Sequence, residues 1–359
     1  MSRDWRVDAL RGYFLVLMTL GHFPNPLARF TEYSFGYASA PDGFVFLSGL
    51  VASWVYLRVW QKSGQDAMQS KIFRRSGQIY LTHMVLFAMG ILFALLSGAQ
   101  SFRGLHPYRA LALGSLLLDQ GGFDKILPMY SVFLLFTPVI LKQLAKGRAK
   151  IVVLVSASLW VCAQFGIGDN TARLPWLNLG TFNLLAWQAY FVAGLYFGNR
   201  GVKRPAFEFL NSRVLLVVCA GIATALMVDR HLHTIAGVAP LLGFSGHPDH
   251  NPARFLDALC LGYILYRIPR VVDRTLMKFR AARFCNFIGQ HSLQVFVFSM
   301  LVTRFEAHVT ARLPWIAILV LTLATVASLY FPARIHEMYR RRRRETASSA
   351  TLLRSPSIA

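Results

Sequence analysis

Charge is scarce in this chain, and acidic charge scarcer still. Of its 359 residues 15% are charged, against roughly 25% in soluble domains, and 16 acidic residues stand against 38 basic ones. A soluble domain with an ordinary charged exterior is thereby excluded. Cysteine is sparse as well: Cys162, Cys219, Cys260 and Cys285 lie far apart and form no CxxC pair. That spacing supports neither a disulfide framework nor zinc, and the four read as packing residues. The opening apolar run lacks a small-residue cleavage site, so the first helix reads as a retained signal anchor. No internal repeat shows, which counts against the paired halves of a secondary transporter.

What the chain has instead is apolar length. Hydrophobic residues make up 55%, including 28 Phe. Stretches of about 20 residues, enough to cross a bilayer, fall near 7–25, 43–61, 77–98, 126–144, 150–168, 181–199, 212–230, 252–268, 284–303 and 313–335. The sequence therefore predicts an all-α, polytopic integral membrane protein with about ten transmembrane helices. An extra half-helix is expected on the outer side within 106–120.

The basic residues sort by side. Arg3 and Arg6, then Arg58, Lys62, Lys71, Arg74 and Arg75, then Lys142, Lys146, Arg148 and Lys150 share one side with Arg200, Lys203, Arg204 and Arg213. Six more between 267 and 283 and the arginine run 340–344 join them, while the opposite side has scattered cases such as Arg29, Arg103 and Arg312. By the positive-inside rule both termini are cytoplasmic. The net charge of +22 is then a topology signal, and no nucleic-acid partner is expected. The expected organisation is an integral membrane domain, 1–336, followed by a basic, Ser/Thr-rich tail, 337–359. That tail is expected to be disordered and drawn to anionic lipid.

Ionisable groups at membrane depth cost a few kcal/mol or more and mark function. The first span carries Asp8, Arg11 and His22. Arg11 and His22 are about 16 Å apart along a helix and project from the same face, since the interval is about three turns. Arg11 then sits near the cytosolic mouth and His22 near the outer face, with Asp8 placed to pair with Arg11. Imidazole suits general-base work near neutral pH. The plainer readings are a snorkelling arginine and a polar helix end. Polar residues gather in the first few helices, whereas the last two spans read as apolar inside, which favours a single site near the N-terminus.

The combination resembles the acyltransferase-3 superfamily, multi-span enzymes that acylate extracytoplasmic glycans, whose signature is Arg-x10-His in the first span. It is most similar to the OpgC-type branch, the succinyl-transferring enzymes of osmoregulated periplasmic glucans. The likeness is carried by Arg6-Val7-Asp8-Ala9-Leu10-Arg11-Gly12, by Asp42-Gly43-Phe44-Val45-Phe46-Leu47-Ser48-Gly49 and by Leu127-Pro128-Met129-Tyr130. Phe182-Asn183-Leu184-Leu185-Ala186-Trp187-Gln188 and Ile288-Gly289-Gln290-His291-Ser292-Leu293 complete it. It implies an acyltransferase of the bacterial inner membrane. The co-substrate would be cytosolic acyl-coenzyme A (succinyl-CoA or acetyl-CoA) and the acceptor a hydroxyl of a periplasmic glycan, with no permanently bound cofactor and no metal. O-acetylation of another envelope polysaccharide and export of a small anionic metabolite are the alternatives.

By the same resemblance His22 is the base that takes the acceptor's proton, or else the residue that carries the acyl group. Arg11 contacts the donor or locks the first helix. Asp42, opening the second span at the outer face, either holds the imidazole in one tautomer or caps its own helix. Ser48 and Gly49 read as close packing or as room for the pantetheine arm. Arg74 and Arg75, at the cytosolic start of the third span, match coenzyme A phosphates, though positive-inside bias also places arginines there. Asn183, Trp187 and Gln188 offer oxyanion donors or sugar contacts, or bonds between helices; relatives carry a proline where Leu184 stands. Tyr130 and the His291-Ser292 pair border a cavity or serve structure. His231-x-His233 and His247-x-x-His250 lack a third ligand and read as solvated loop.

Overall fold

The computed structural model describes residues 4–28, 36–97, 107–117, 126–168, 183–203, 212–236, 251–267, 275–310 and 313–354. Among these every regular element is an α-helix, as the composition predicted. They are α1 (Trp5–Leu20), α2 (Ala40–Ser97), α3 (Pro107–Ser115), α4 (Ile126–Ala145), α5 (Ala149–Gln164) and α6 (Leu184–Lys203). The rest are α7 (Arg213–Ala236), α8 (Pro252–Arg267), α9 (Arg280–Gln290), α10 (Ser292–Val309), α11 (Trp315–Ser328) and α12 (Tyr330–Arg354). Four helical stretches are long and apolar enough to cross a membrane, five if the bent pair α9–α10 counts as one. Others fall short because they are brief, such as α5, or because they hold ionisable residues, such as α1. The helices form two compact units, Tyr33–Ile268 and Met1–Glu32 with Pro269–Ala359.

In the unit Tyr33–Ile268, α2 is the spine. It runs 58 residues with a single break at Gly64, where φ is 84° and ψ 173°. The sequence predicted two spans, 43–61 and 77–98; the kink at Gly64 falls between them, and the chain is helical on both sides of it. The connecting stretch is amphipathic: Met68, Ile72, Ser76 and Ile79 are buried along one seam, while Lys71 and Arg74 are exposed. The seam packs on α4, where Ser76 and Ser131 each donate a hydroxyl to the other's backbone carbonyl at 2.9 and 3.1 Å. Gly147, in the left-handed region at φ 79°, ends the α4 side of a hairpin into α5. α3 supplies the expected half-helix within 106–120.

The tightest crossing joins α2 to α6. A Cβ on Gly49 would run into the Phe191 carbonyl, one on Gly194 into the Phe46 carbonyl, and one on Gly198 into Ser53. Small residues let helix backbones meet where lipid supplies no hydrophobic drive. Gly49 therefore serves packing, and Ser48 beside it is buried. Cys219, Ala223 and Cys260 form a buried cluster between α7 and α8.

In the other unit α1 meets α9 with equal closeness: a Cβ on Gly12 would collide with the Cys285 carbonyl, and one on Gly289 with the Asp8 carbonyl. The predicted span 284–303 is not one helix. The chain bends by 98° between α9 and α10, at His291. α9 exposes Arg280 and Arg283 and buries Ile288 and Gly289. Within the described residues α12 is helical to Arg354. An i,i+4 ion pair between Glu337 and Arg341 at 3.0 Å supports its middle turns.

The reading of the last spans as apolar inside does not hold. Ser299, Thr303, Glu306 and Thr310 are all buried on one face of α10, and Thr322 and Thr325 on α11. Most of these hydroxyls bond back to a carbonyl of the preceding turn. Thr325 instead donates to Glu306.

Candidate functional site

α1 ends in a way that fixes the imidazole. The last four carbonyls of a helix have no partner within it. Here the Gly21 amide takes the Leu17 carbonyl at 3.0 Å and the His22 amide takes Thr19 at 3.2 Å. The Asn25 side chain donates to the Leu20 carbonyl at 2.6 Å. The remaining one, Met18, receives the His22 ring through Nδ1. A carbonyl only accepts, so Nδ1 carries the hydrogen and Nε2 keeps the lone pair. His22 is exposed. It is thus both the polar end of its helix and a ring with its basic nitrogen left over. The Met18 carbonyl thus holds the ring in one tautomer.

Arg11, half-buried on the same helix, donates from Nη2 to the Ser292 hydroxyl at 2.6 Å, at the first residue of α10. Asp8 is buried, and Asn286 on α9 donates to the Trp5 carbonyl at 2.9 Å. Arg11 and the end bearing His22 are therefore set by different neighbours of one helix.

In the unit Tyr33–Ile268 a second polar centre forms around the start of α2. Ser39 is the residue before the helix, and Asp42 reaches back to accept from its amide at 2.8 Å and its hydroxyl at 3.0 Å. This is the reciprocal half of a capping box, so Asp42 caps from inside the helix. The same Oδ2 accepts from Arg254 Nε at 2.8 Å, and Arg254 Nη2 donates to Ser39 at 2.5 Å. Asp42 is 1% exposed and Arg254 8%. One turn along α8, Asp257 is fully buried and accepts from the Tyr37 and Ala38 amides at 2.8 and 2.9 Å. Gly36, at φ 107°, passes so close that a Cβ would press on that carboxylate. Tyr37 donates its hydroxyl to Asp229 at 2.6 Å. Burial and that bond push the Tyr37 phenol up to about 12.

Tyr190, on α6, has a buried hydroxyl within the electrostatic reach of Asp42, Arg254 and Asp257. Neither it nor Oδ1 of either aspartate has a hydrogen-bond partner. The Arg254 guanidinium lies 5.3 Å from the Trp187 ring centre.

The other sequence candidates separate. Asn183 caps α6, accepting from the Leu185 amide at 2.9 Å while donating to Ile167 at 2.9 Å. Gln188 ties α6 to α5, bonding the Ser156 hydroxyl and carbonyl at 2.8 Å each. Trp187 is wholly buried. Tyr130 packs edge-on to Phe191 at 5.8 Å. Arg74 is exposed and Arg75 half-buried, the latter within reach of the Tyr56 phenol. His247 and His250 lie outside the described residues. No group of three or more metal-ligating side chains occurs among the described residues.

Sequence reasoning missed Arg254, Asp257, Tyr190 and Glu306. Arg254-x2-Asp257 at the head of an apolar helix was a visible signal. Glu306 lay just past the end assigned to its span.

A helical bundle with bilayer-length apolar stretches, close glycine crossings and ionisable groups kept in its interior defines a class, the α-helical membrane protein. Within that class the chain belongs to the OpgC protein family, whose sequence profile matches residues 3–341. A comparison with curated protein sequences finds no match.

Proposed function

We propose that the protein is an O-acyltransferase of the bacterial inner membrane. It moves an acyl group, succinyl by family likeness, from cytosolic acyl-coenzyme A to hydroxyls of a periplasmic glucan. The chain crosses the membrane about ten times with both termini cytoplasmic. The observation that carries the reading is the end of α1: a histidine whose Nδ1 is tied to Met18, leaving a basic Nε2 on an exposed ring. The family match over 3–341 supports acyl transfer.

In this mechanism Nε2 takes the proton of the acceptor hydroxyl as its oxygen bonds to the thioester carbonyl carbon. The tetrahedral intermediate collapses to an ester and expels the thiolate, which takes the proton back from the imidazolium. The ring returns neutral, and no net proton is used. Arg11, about 16 Å deeper along the helix, contacts the anionic donor, aided by Arg74 and Arg75 at the cytosolic surface.

Mass spectrometry of periplasmic glycans tests this. Cells with the intact protein should carry acylated glucan, and cells lacking it, or holding His22→Ala, should not. An unchanged glycan pool on deletion removes the substrate assignment, and normal acylation by His22→Ala removes the base.

A further inference from the structure

The residues that hold Arg11 lie at the far end of the chain. Resting on the reading of Arg11 as a donor contact, we propose that His336 and Glu337 on α12 are positioning residues for coenzyme A binding. They act through His291 and Ser292.

The geometry is a short relay. α10 begins at Ser292, whose hydroxyl receives Arg11 at 2.6 Å. Where α10 begins depends on the 98° bend just before it. No side-chain bond caps α10 at that point, so the helix ladder does not fix the bend. The His291 ring does. It is 2% exposed and meets α12 twice, with Nδ1 at 2.8 Å from His336 Nδ1 and Nε2 at 3.6 Å from a Glu337 oxygen. Phe287 of α9 abuts the ring edge-on at 5.3 Å and itself packs on Tyr330 of α12 at 5.1 Å. Glu337 is held in turn by Arg341 at 3.0 Å. Helix α12 thus clamps the hinge residue next to the hydroxyl that Arg11 uses.

The Nδ1-to-Nδ1 contact sets a proton condition. One ring must present a hydrogen and the other a lone pair. Glu337 favours hydrogen on His291 Nε2, which leaves His291 Nδ1 to accept from His336. A pair carrying one extra proton keeps the bond. A pair with both rings charged loses it and repels. The charged groups around the pair are Glu337, Arg340 and Arg341 on α12, with Arg11 reaching Ser292 from α1. Phe287 of α9, which packs on the His291 ring, carries no charge.

Calorimetry with coenzyme A on purified full-length protein in detergent reads the outcome. At about pH 7.5, His336→Ala and Arg11→Ala should each weaken binding about tenfold. His336→Asn, whose amide can occupy the Nδ1 position, should recover most of it. Glu337→Gln should weaken binding as His336→Ala does. Unaltered binding by Arg11→Ala overturns the reading of Arg11. Weakened binding by Arg11→Ala with wild-type binding by His336→Ala and Glu337→Gln overturns the relay alone. The near-isosteric Glu337→Gln keeps the test valid even when His336→Ala does not fold.

Discussion

At the scale of single residues the buried charges are the most exposed to mutation. Asp42 and Arg254 form an ion pair in which both partners have left water. Removing one strands the other, a change that costs about 3–5 kcal/mol. Arg254→Met should lower the unfolding free energy in detergent by that order, and Arg254→Lys should recover part of it. Denaturant unfolding followed by tryptophan fluorescence checks both. Tyr37 gives a second expectation. Its phenol is neutral in the folded protein up to about 12, whereas an unfolded tyrosine ionises near 10. The unfolded chain loses its proton first, so Tyr37 contributes stability below pH 10 that is lost as pH rises through about 12. Absorbance titration should show a late-ionising tyrosine phase, and Tyr37→Phe should reduce its amplitude.

Helices define the next scale. Gly194 has no room for a side chain against α2, so Gly194→Val should prevent the α2–α6 crossing and abolish folded protein in membranes. Gly221, with open space around its Cβ position, is the control: Gly221→Ala should accumulate normally. Element boundaries also show where the sequence could be read and where it could not. Apolar length and turn chemistry marked most helices, because burial in lipid and hydrogen bonding act locally. The break at His291 left no such mark. The residue at the bend meets His336 and Glu337 of α12, contacts across a long stretch of chain that periodicity does not carry. Ending the span at 303 then hid Glu306, one turn on, and with it the polar face of α10.

For the molecule as a whole, the proposed topology makes a prediction that does not depend on catalysis. The α4–α5 turn carries Lys142, Lys146, Arg148 and Lys150 and should face the cytosol. A membrane-impermeant maleimide should therefore label Lys146→Cys only after the inner membrane is opened. Labelling in intact spheroplasts would reverse the assigned orientation. As to the site, Arg11 and His22 were legible because ionisable groups in a greasy helix stand out by cost alone. The ion-pair partner of Asp42 was not, since Arg254 comes from a helix more than two hundred positions away.

The anchoring of His22 to a main-chain oxygen has an evolutionary corollary. Every amino acid placed at position 18 brings that same oxygen, so no side-chain substitution there removes the tether so long as the helix keeps its course. Relatives can therefore redesign the walls around the ring for new acceptors without having to re-aim the ring itself.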